Sequence, residues 1–376
     1  MKRTLLLLPF IFTQALALGP WTQKCSMPGL GRHLACSMVI GGRAYIGGGW
    51  DGVNTYNDFW EYDPGTNSWT QKANTPALMW NVPCFGIDTA GYFCYPGNTW
   101  MFCPNGNTWT NVNPAAPPST YLEECKWVIN GKGYVRNQTN IFEFNPQNFQ
   151  WTNVYTLPSS NFAPDIGFAI GNKAYMMDNS YQKFWEYDPT AVTLTQKAVC
   201  PLNNTMGIGF GLNGKGYCGL GFTITQVGSI KDMAEYDPAT DSWRRIDDLE
   251  GQDRRKATSF VIGNRGYITC GSCGINLNDL WEFDNSKVTD VNEQEKNTEV
   301  NVFPNPSVDG KFYFSTNTNN ISSIVLFDAQ GKKVLAQKFG SNCSIDLSDA
   351  GDGIYFAELL DRSGEIKGRK KLILSK

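Results

Sequence analysis

The stretch Phe59-Trp60-Glu61-Tyr62-Asp63-Pro64, followed five residues later by Trp69, recurs along the chain and decides its fold. Close copies lie at 184–189, at 233–238 with Trp243, and at 141–146 with Trp151, and weaker copies lie at 100–104 with Trp109 and at 280–285. Alternating large and polar residues predict a strand, and Asp-Pro predicts the turn after it. Self-similarity at a regular spacing indicates a repeat architecture.

Each unit also contains a short hairpin that ends in tyrosine, as in Ile40-Gly41-Gly42-Arg43-Ala44-Tyr45 and Asn213-Gly214-Lys215-Gly216-Tyr217. Asn-Gly and Gly-Gly pairs supply the positive φ angles that two-residue hairpin turns require. The hairpin tyrosines are Tyr45, Tyr92, Tyr134, Tyr175, Tyr217 and Tyr267. Their gaps of 47, 42, 41, 42 and 50 residues match four-stranded blades, so the sequence predicts a six-bladed β-propeller.

The two ends of the repeat region complement each other. The sixth unit has Asp290 where the fourth-strand tryptophan is expected, whereas Trp21-Thr22-Gln23-Lys24 repeats the wording of Trp69-Thr70-Gln71-Lys72. We therefore predict that an N-terminal strand completes the sixth blade and closes the ring, which removes exposed sheet edges.

The hairpin, the Tyr-Asp-Pro turn and the spaced tryptophan together resemble kelch repeats across residues 19–290. The double glycine that usually ends the second kelch strand is clear only at Gly47-Gly48-Gly49, and single glycines remain at Gly219 and Gly271. The resemblance implies a kelch-type propeller.

Four segments are predicted along the chain. Residues 1–17 have the order of a secretory signal peptide: Lys2 and Arg3, an apolar run, then Ala15-Leu16-Ala17. Residues 18–290 form the propeller, 291–299 a polar linker, and 300–376 a small β-sandwich. No other stretch approaches about 18 consecutive apolar residues, so we predict no membrane span.

The C-terminal segment contains sequence motifs that differ from those of the repeats. It contains Val302-Phe303-Pro304-Asn305-Pro306-Ser307 and Gly353-Ile354-Tyr355-Phe356-Ala357, and it ends near Lys370-Lys371-Leu372-Ile373-Leu374. Residues 300–376 resemble the C-terminal sorting domain of the type IX (Por) secretion system. The resemblance implies contact with that machinery, passage through the periplasm, and release from or attachment to the surface of a Gram-negative bacterium.

Charge and cysteine content limit the partners. The 376 residues have a formal net charge of −3, and residues 18–299 hold 20 Lys and Arg against 27 Asp and Glu, a net charge of −7. An acidic domain without a basic stripe argues against a nucleic-acid partner. The 11 cysteines permit disulfides in an exported protein, but the sequence leaves their pairing open.

Candidate ligand residues come from the loops at one mouth of the channel. Counting back thirteen residues from each hairpin tyrosine gives the residue entering each innermost strand: Arg32, Met79 (or Trp80 if that loop is one residue shorter), Tyr121, Phe162, Asn204 and Arg254. Trp50 begins the long loop that ends at Asp58. The candidate ligand residues are Arg32, Trp50, Trp80, Tyr121, Phe162 and Arg254. Guanidinium groups bind carboxylates and aromatic faces stack on sugar rings or cations. The alternative is that these side chains only plug the channel and pack between blades.

Catalytic groups are not evident. The glutamate of the recurring phrase is present in five of six units, at Glu61, Glu143, Glu186, Glu235 and Glu282, which favours an architectural role. His33 is the only histidine, so a His-rich metal site is not expected, and we predict neither metal nor cofactor.

Three functions remain open. The sequence favours a glycan- or protein-binding module over catalysis. The family resemblance also implies a carbohydrate-active alternative, because six-bladed kelch proteins include sialic-acid mutarotases, and Arg32, Arg254 and Glu123 or Glu124 are the residues for that chemistry. A structural adhesin with an empty mouth is the third.

Overall fold

The computed structural model describes most of the chain between residues 19 and 376. Outside the description lie residues 1–18, 96, 114–124, 138–139, 158–165, 179–182, 203, 224–227, 289–299, 317–320, 329–331, 340–341 and 363–365. The predicted signal peptide and linker therefore lie outside the described residues. Contacts divide the chain into two units, residues 1–291 and 292–376.

Strands make up nearly all the regular structure described in the first unit. They are β1 (Trp21–Lys24), β2 (Cys36–Ile40), β3 (Arg43–Gly47), β4 (Phe59–Asp63), β5 (Ser68–Lys72), β6 (Cys84–Ile87), β7 (Ala90–Tyr95), β8 (Asn98–Cys103), β9 (Thr108–Asn113), β10 (Lys126–Ile129), β11 (Lys132–Arg136), β12 (Asn140–Asn145), β13 (Gln150–Thr156), β14 (Ile166–Ile170), β15 (Lys173–Asp178), β16 (Lys183–Asp188), β17 (Thr193–Lys197), β18 (Ile208–Leu212), β19 (Lys215–Thr223), β20 (Gly228–Asp237), β21 (Ser242–Ile246), β22 (Thr258–Ile262), β23 (Arg265–Thr269) and β24 (Leu280–Phe283). A 3₁₀ turn, Asn285–Lys287, follows the last strand.

These strands form six four-stranded antiparallel sheets within the described part of the unit. Five sheets are consecutive in sequence: β2–β5, β6–β9, β10–β13, β14–β17 and β18–β21. The sixth has the order β1-β24-β23-β22, so the N-terminal strand supplies its outer edge. The first strands of neighbouring blades adjoin around the ring, from β2 through β22 and back to β2. The six-bladed propeller closed by an N-terminal strand is confirmed.

The closing strand occupies the register that the repeat predicts. Trp21 lies opposite Phe283, just as Trp69 lies opposite Tyr62 in the first blade. The Trp21 and Phe283 ring centroids are 4.8 Å apart, and Trp21 is 2% exposed. The tryptophan missing from the end of the sixth unit is therefore provided by the start of the chain.

The hairpins between first and second strands follow from their turn residues. Gly41 and Gly42 have φ of 57° and 78°, and Asn213 and Gly214 have φ of 51° and 78°. Two successive left-handed residues make the turn whose twist matches the flanking strands.

Hydrophobic cores lie between neighbouring blades. One core joins Tyr267 and Leu280 of the sixth blade to Ile46 and Tyr62 of the first. The rings of Tyr62 and Tyr267 are 6.0 Å apart. Because each sheet must cover both of its faces, the repeat places large side chains on both, which explains the aromatic content.

The repeated glutamate binds the hairpin tyrosine of its own blade. The hydroxyl donates to the carboxylate at 2.6–2.9 Å in the pairs Tyr45–Glu61, Tyr134–Glu143, Tyr175–Glu186, Tyr217–Glu235 and Tyr267–Glu282. Burial raises the pKa of these tyrosines well above its usual range, and the neighbouring glutamate adds to the rise. The glutamates are architectural, as predicted.

The second unit contains two antiparallel sheets. Its strands are β25 (Val300–Phe303), β26 (Lys311–Thr316), β27 (Ser323–Asp328), β28 (Lys333–Lys338), β29 (Asn342–Asp346), β30 (Gly353–Leu360) and β31 (Ile366–Leu374). The orders are β25-β26-β29 and β28-β27-β30-β31. Phe312 and Phe314 of the first sheet share one core with Ile324 and Leu359 of the second, which confirms the small β-sandwich. None of the helical structure described in either unit is long and apolar enough to cross a membrane.

Candidate ligand site at the channel mouth

A three-residue step precedes the first strand of the four blades in which this segment is described. The steps within the described residues are Arg32-His33-Leu34, Met79-Trp80-Asn81, Asn204-Thr205-Met206 and Arg254-Arg255-Lys256. The carbonyl group of the first residue of a step accepts a hydrogen bond from a glycine N–H of the preceding blade. Gly271 N–H donates to Arg32 O at 2.8 Å, and Gly49 N–H donates to Met79 O at 2.7 Å. Met79 therefore occupies the position of Arg32, and Trp80 occupies that of His33.

The third residue of each step has a left-handed backbone. The φ angles are 56° at Leu34, 54° at Asn81, 58° at Met206 and 55° at Lys256. Lys256 N–H donates to Met206 O at 2.8 Å, Leu34 N–H to Lys256 O at 3.0 Å, and Asn81 N–H to Leu34 O at 2.9 Å. A conformation that non-glycine residues seldom adopt is thus stabilised by the next blade, and the mouth has a fixed backbone frame.

Arg32 is enclosed by its own blade. Its guanidinium pairs with Asp58 through two hydrogen bonds, one of them Nη2 to Oδ2 at 2.9 Å, and it also donates to the carbonyls of Leu30 and Gly48. The side chain is 1% exposed. A Cβ added to Gly29 would stand 2.6 Å from Nη2, so the backbone covers the pair.

Arg254 repeats this arrangement in the sixth blade. Its Nη1 and Nη2 donate to Asp279 at 2.6 and 2.8 Å, and further N–H groups donate to Gln252 O and Cys270 O. Asp279 Oδ2 also accepts from Trp281 Nε1 at 2.7 Å, and Arg254 is 0% exposed. With both guanidiniums saturated and covered, the surroundings of Arg32 and Arg254 favour a structural role. Direct ligand contact by either arginine stays a prediction.

The tryptophans lie nearer to solvent. Trp50 exchanges two backbone hydrogen bonds of 2.9 Å with His33, and its ring centroid is 5.8 Å from that of Trp80. Trp80 is 39% exposed. Tyr121 and Phe162, the other two aromatic candidates, lie outside the described residues.

We define the mouth cluster as His33, Trp50, Trp80, Arg255 and Lys256. The His33 ring meets the Trp50 ring edge-on at 5.3 Å, and the Arg255 guanidinium lies 5.3 Å from the ring centroid of Phe222. The carbonyl of Lys256 accepts from the N–H of Leu34, the residue after His33, and the charges of Arg255 and Lys256 act on His33. The cluster thus combines two predicted tryptophans with two cations of the sixth blade that the thirteen-residue count does not select.

A hydrogen bond to the sixth blade holds the His33 ring within this cluster. Its Nδ1 lies 2.9 Å from Asn276 Oδ1, and Asn276 Nδ2 donates to Asp51 O at 2.6 Å, linking the first and sixth blades. Burial lowers the pKa of His33, and although the Asn276 hydrogen bond opposes this, Lys256 and Arg255 lower it further. His33 therefore stays uncharged at neutral pH and adds no third cation.

A sequence signal for the buried pairs exists. Asn57-Asp58-Phe59-Trp60-Glu61 and Asn278-Asp279-Leu280-Trp281-Glu282 share an Asn-Asp-x-Trp-Glu pattern that occurs in the two blades with the arginine. That coincidence identifies Asp58 and Asp279 as partners of Arg32 and Arg254.

The residues predicted to support catalysis lie outside the described part of the chain. Glu123 and Glu124, the candidate acid/base pair, lie outside the described residues. Among the described residues no group of three or more His, Cys, Asp or Glu side chains is arranged to hold a metal ion. The mutarotase alternative stays a prediction.

Comparisons with known proteins agree with both units. A family model described as the Kelch motif matches residues 31–76, and one described as a secretion system C-terminal sorting domain matches residues 301–375. The solved structure titled "Structure of YjhT" is similar with a TM-score of 0.58 and 15% identity, covering 71% of this chain and 98% of that chain. No curated protein matches the sequence. At that identity the structural likeness shows the fold alone.

Proposed function

Because the chain is a kelch-type β-propeller followed by a secretion system C-terminal sorting domain, we propose that it is an exported recognition module that binds an acidic glycan through the mouth cluster. The observation that supports this most is the pair of neighbouring indoles, Trp50 and Trp80, on a hydrogen-bonded frame of steps that also includes Arg255.

The indoles suit a sugar ring. Their planes are inclined by 31° with centroids 5.8 Å apart, so Trp80 keeps 39% of its surface exposed while Trp50 supports its edge. Apolar sugar faces stack on such rings, and a ring held by its neighbours loses little conformational entropy on binding.

Arg255 supplies the preference for an acidic sugar. It does not form an ion pair with any described residue, and its guanidinium lies over Phe222, which orients the donors without satisfying them. A carboxylate is the group that a guanidinium binds with two parallel hydrogen bonds. The net charge of −7 over residues 18–299 makes this local positive charge more distinctive.

The test is titration of the full chain against a panel of acidic and neutral oligosaccharides, with peptides included. Trp80→Ala should weaken glycan binding about 30-fold, since a stacked aromatic contributes about 2 kcal/mol. Arg255→Ala should weaken binding of acidic sugars at least tenfold and leave neutral sugars nearly unchanged, because charge-assisted hydrogen bonds contribute about 1.5–3 kcal/mol.

Two substitutions are matched controls. Leu78→Ala removes an exposed apolar side chain (56% exposed) from the loop that holds Trp80, and Arg245→Ala removes an exposed arginine from an outer strand. Both should bind like the wild type. Unchanged binding in Trp80→Ala and Arg255→Ala, or binding to peptides alone, would reject the glycan proposal.

Delivery rests on the two ends of the chain. We propose that residues 1–17 direct export to the periplasm and that residues 300–376 direct transfer to the cell surface or medium. Deleting 300–376 should leave the propeller inside cells of a host with the secretion machinery. Equal amounts of both forms in the medium would contradict this.

A further inference from the structure

The central channel contains a reactive group distinct from the mouth cluster. A cavity of about 290 Å³ follows the first strands of the blades. In the first strand of each blade, one residue pairs with the hairpin tyrosine, and the residue directly before it lines the cavity. We call these six equivalent residues the belt. The belt consists of Ser37, Cys84, Lys126, Gly167, Gly209 and Ser259.

Side chains of the belt bind the preceding blade. Ser259 Oγ donates to Gly209 O at 3.1 Å, Ser37 Oγ to Ser259 O at 3.1 Å, and the Cys84 thiol to Ser37 O at 3.0 Å. Lys126 Nζ departs from the pattern because it lies 3.3 Å from both Cys84 Sγ and Ser37 O. Among the described residues that line the cavity, Lys126 is the one charged side chain.

A second thiol adjoins this pair. Cys36 begins β2 as Cys84 begins β6, and the two side chains pack in the same hydrophobic core between the first and second blades. Both cysteines are buried, at 3% and 1% exposed. Two buried thiols packed in one core between two blades, one of them 3.3 Å from an ammonium group, are the components of a dithiol that oxidises in two steps.

We propose that Cys84 and Cys36 form a peroxide-sensitive dithiol in the channel, with Cys84 the attacking thiolate, Cys36 the resolving thiol and Lys126 a positioning residue. The Cys84 thiolate attacks one oxygen of hydrogen peroxide, the O–O bond breaks, and Cys84 sulfenic acid and water form once hydroxide takes up the thiol proton. The Cys36 sulfur then attacks the Cys84 sulfur, its proton leaves with the hydroxyl group as a second water, and the disulfide joins β2 to β6.

Electrostatics assign these roles. Although burial alone would raise it, the Cys36 hydrogen bond and Lys126 lower the pKa of Cys84 to about 7. The hydrogen bond that Cys36 donates raises its own pKa well above the usual range, and burial adds to the rise. Cys84 is therefore the nucleophile, and Cys36 keeps its proton until the sulfenic acid forms.

Size selects the oxidant. Cys84 is 1% exposed, so its sulfur admits only a small reagent. Hydrogen peroxide is small, whereas disulfides and aromatic thiol reagents are bulky. Exposed Cys25 and Cys103 provide internal comparators for such reagents.

The experiment treats the reduced full chain with hydrogen peroxide at pH 7, blocks remaining thiols with N-ethylmaleimide after denaturation, and maps peptides without reduction. The expected product is the Cys36–Cys84 crosslinked peptide. In Cys36→Ser the reaction should stop at a Cys84 sulfenic acid that dimedone traps. In Cys94→Ser, which removes another buried thiol of the second blade, the crosslink should form at the wild-type rate.

Lys126 is tested by rate. Lys126→Met should slow crosslinking about tenfold, because removing the ammonium group raises the pKa of Cys84 and lowers the thiolate fraction at pH 7. Lys126→Arg should restore most of the rate, which a purely steric role would not predict. Native tryptophan emission identifies variants that remain folded.

Three results would overturn the proposal. They are crosslinking of Cys84 to Cys94 or to an exposed cysteine, equal rates in the wild type and folded Lys126→Met, and crosslinking that is as fast in denaturant as in the folded chain.

Discussion

Removing the Asp279 carboxylate should destabilise the propeller by about 3 kcal/mol. Asp279→Ala deletes two hydrogen bonds to Arg254 and one from Trp281, and it leaves a 0% exposed guanidinium without a counter-charge. Breaking a buried ion pair on one side costs about 3–5 kcal/mol. The lower end applies because Asp279 is 17% exposed and water can replace part of the carboxylate.

The assay is urea unfolding followed by tryptophan fluorescence. All 12 tryptophans lie between residues 21 and 281, so the signal reports the propeller and not the sorting domain. The free energy of unfolding is obtained by linear extrapolation. A double-mutant cycle with Arg254→Met should show that the double variant is less destabilised than the sum of the two single variants, by about 2 kcal/mol.

The fifth blade provides a matched control. Glu235 is equivalent to Glu282, because each pairs with the hairpin tyrosine of its blade, and Asp232 is therefore equivalent to Asp279. The fifth blade has Asn204 at the position that Arg254 occupies in the sixth. Among the described residues the one ion-pair partner of Asp232 is Arg245, at 3.9 Å, and the Asp232 and Arg245 side chains are 33% and 62% exposed. Asp232→Ala should cost less than about 1 kcal/mol. Equal losses in Asp279→Ala and Asp232→Ala would refute the structural role, and Arg254→Met that abolishes glycan binding without loss of stability would restore the ligand role.

Three further predictions concern pH and ring closure. Arginine hydrogen bonds hold the pKa of Asp58 and Asp279 below its usual range although burial opposes them, so their stabilisation is complete above about pH 4 and is lost as pH falls through the folded pKa. Urea midpoints between pH 7 and 2 should fall less steeply in Asp279→Asn, and parallel curves would contradict this. The raised pKa of blade tyrosines such as Tyr45 and Tyr175 gives stability that is complete below about pH 10 and lost above it. Tyrosinate absorbance should therefore appear together with the loss of native fluorescence, and ionisation of these tyrosines near pH 10 in the folded chain would argue otherwise. Trp21→Ala should destabilise the propeller by about 3–5 kcal/mol through loss of the core contact with Phe283, whereas Gln23→Ala on the same strand should be nearly neutral; calorimetry distinguishes them.

The blades were predictable because local chemistry specifies them. Asn213-Gly214 imposes a tight hairpin wherever it stands, and Asp63-Pro64 imposes a turn, since both act through their own backbone angles. The similarity of Trp21-Thr22-Gln23-Lys24 to Trp69-Thr70-Gln71-Lys72 predicted the closing strand, because equivalent sequences imply an equivalent register of strand pairing. Five repeated glutamates were recognisable as architectural for the same reason.

The mouth was less predictable, because side chains at equivalent positions serve different purposes. Counting from the hairpin tyrosines located Arg32 and Arg254, yet their surroundings depend on Asp58 and Asp279, which lie 26 and 25 residues away along the chain. The count left Met79 and Trp80 as alternatives, since a one-residue difference in loop length does not show in the sequence, and the structure places Met79 at the position of Arg32. Arg255 and Lys256 were missed because the count selects only the first residue of each step.

By itself the sequence determined the blade count, the closure by the N-terminal strand and the sorting module. Each of these depends on turn residues and short sequence motifs, whose effect on the backbone extends over only a few residues. Only the tertiary structure decided which arginine is buried, which indole is exposed, and that Cys36, Cys84 and Lys126 meet in the channel. The arginine pairs depend on contacts 25 and 26 residues apart within a blade, whereas Cys36, Cys84 and Lys126 depend on contacts between blades more than 40 residues apart, and neither kind of contact can be deduced from a single repeated segment.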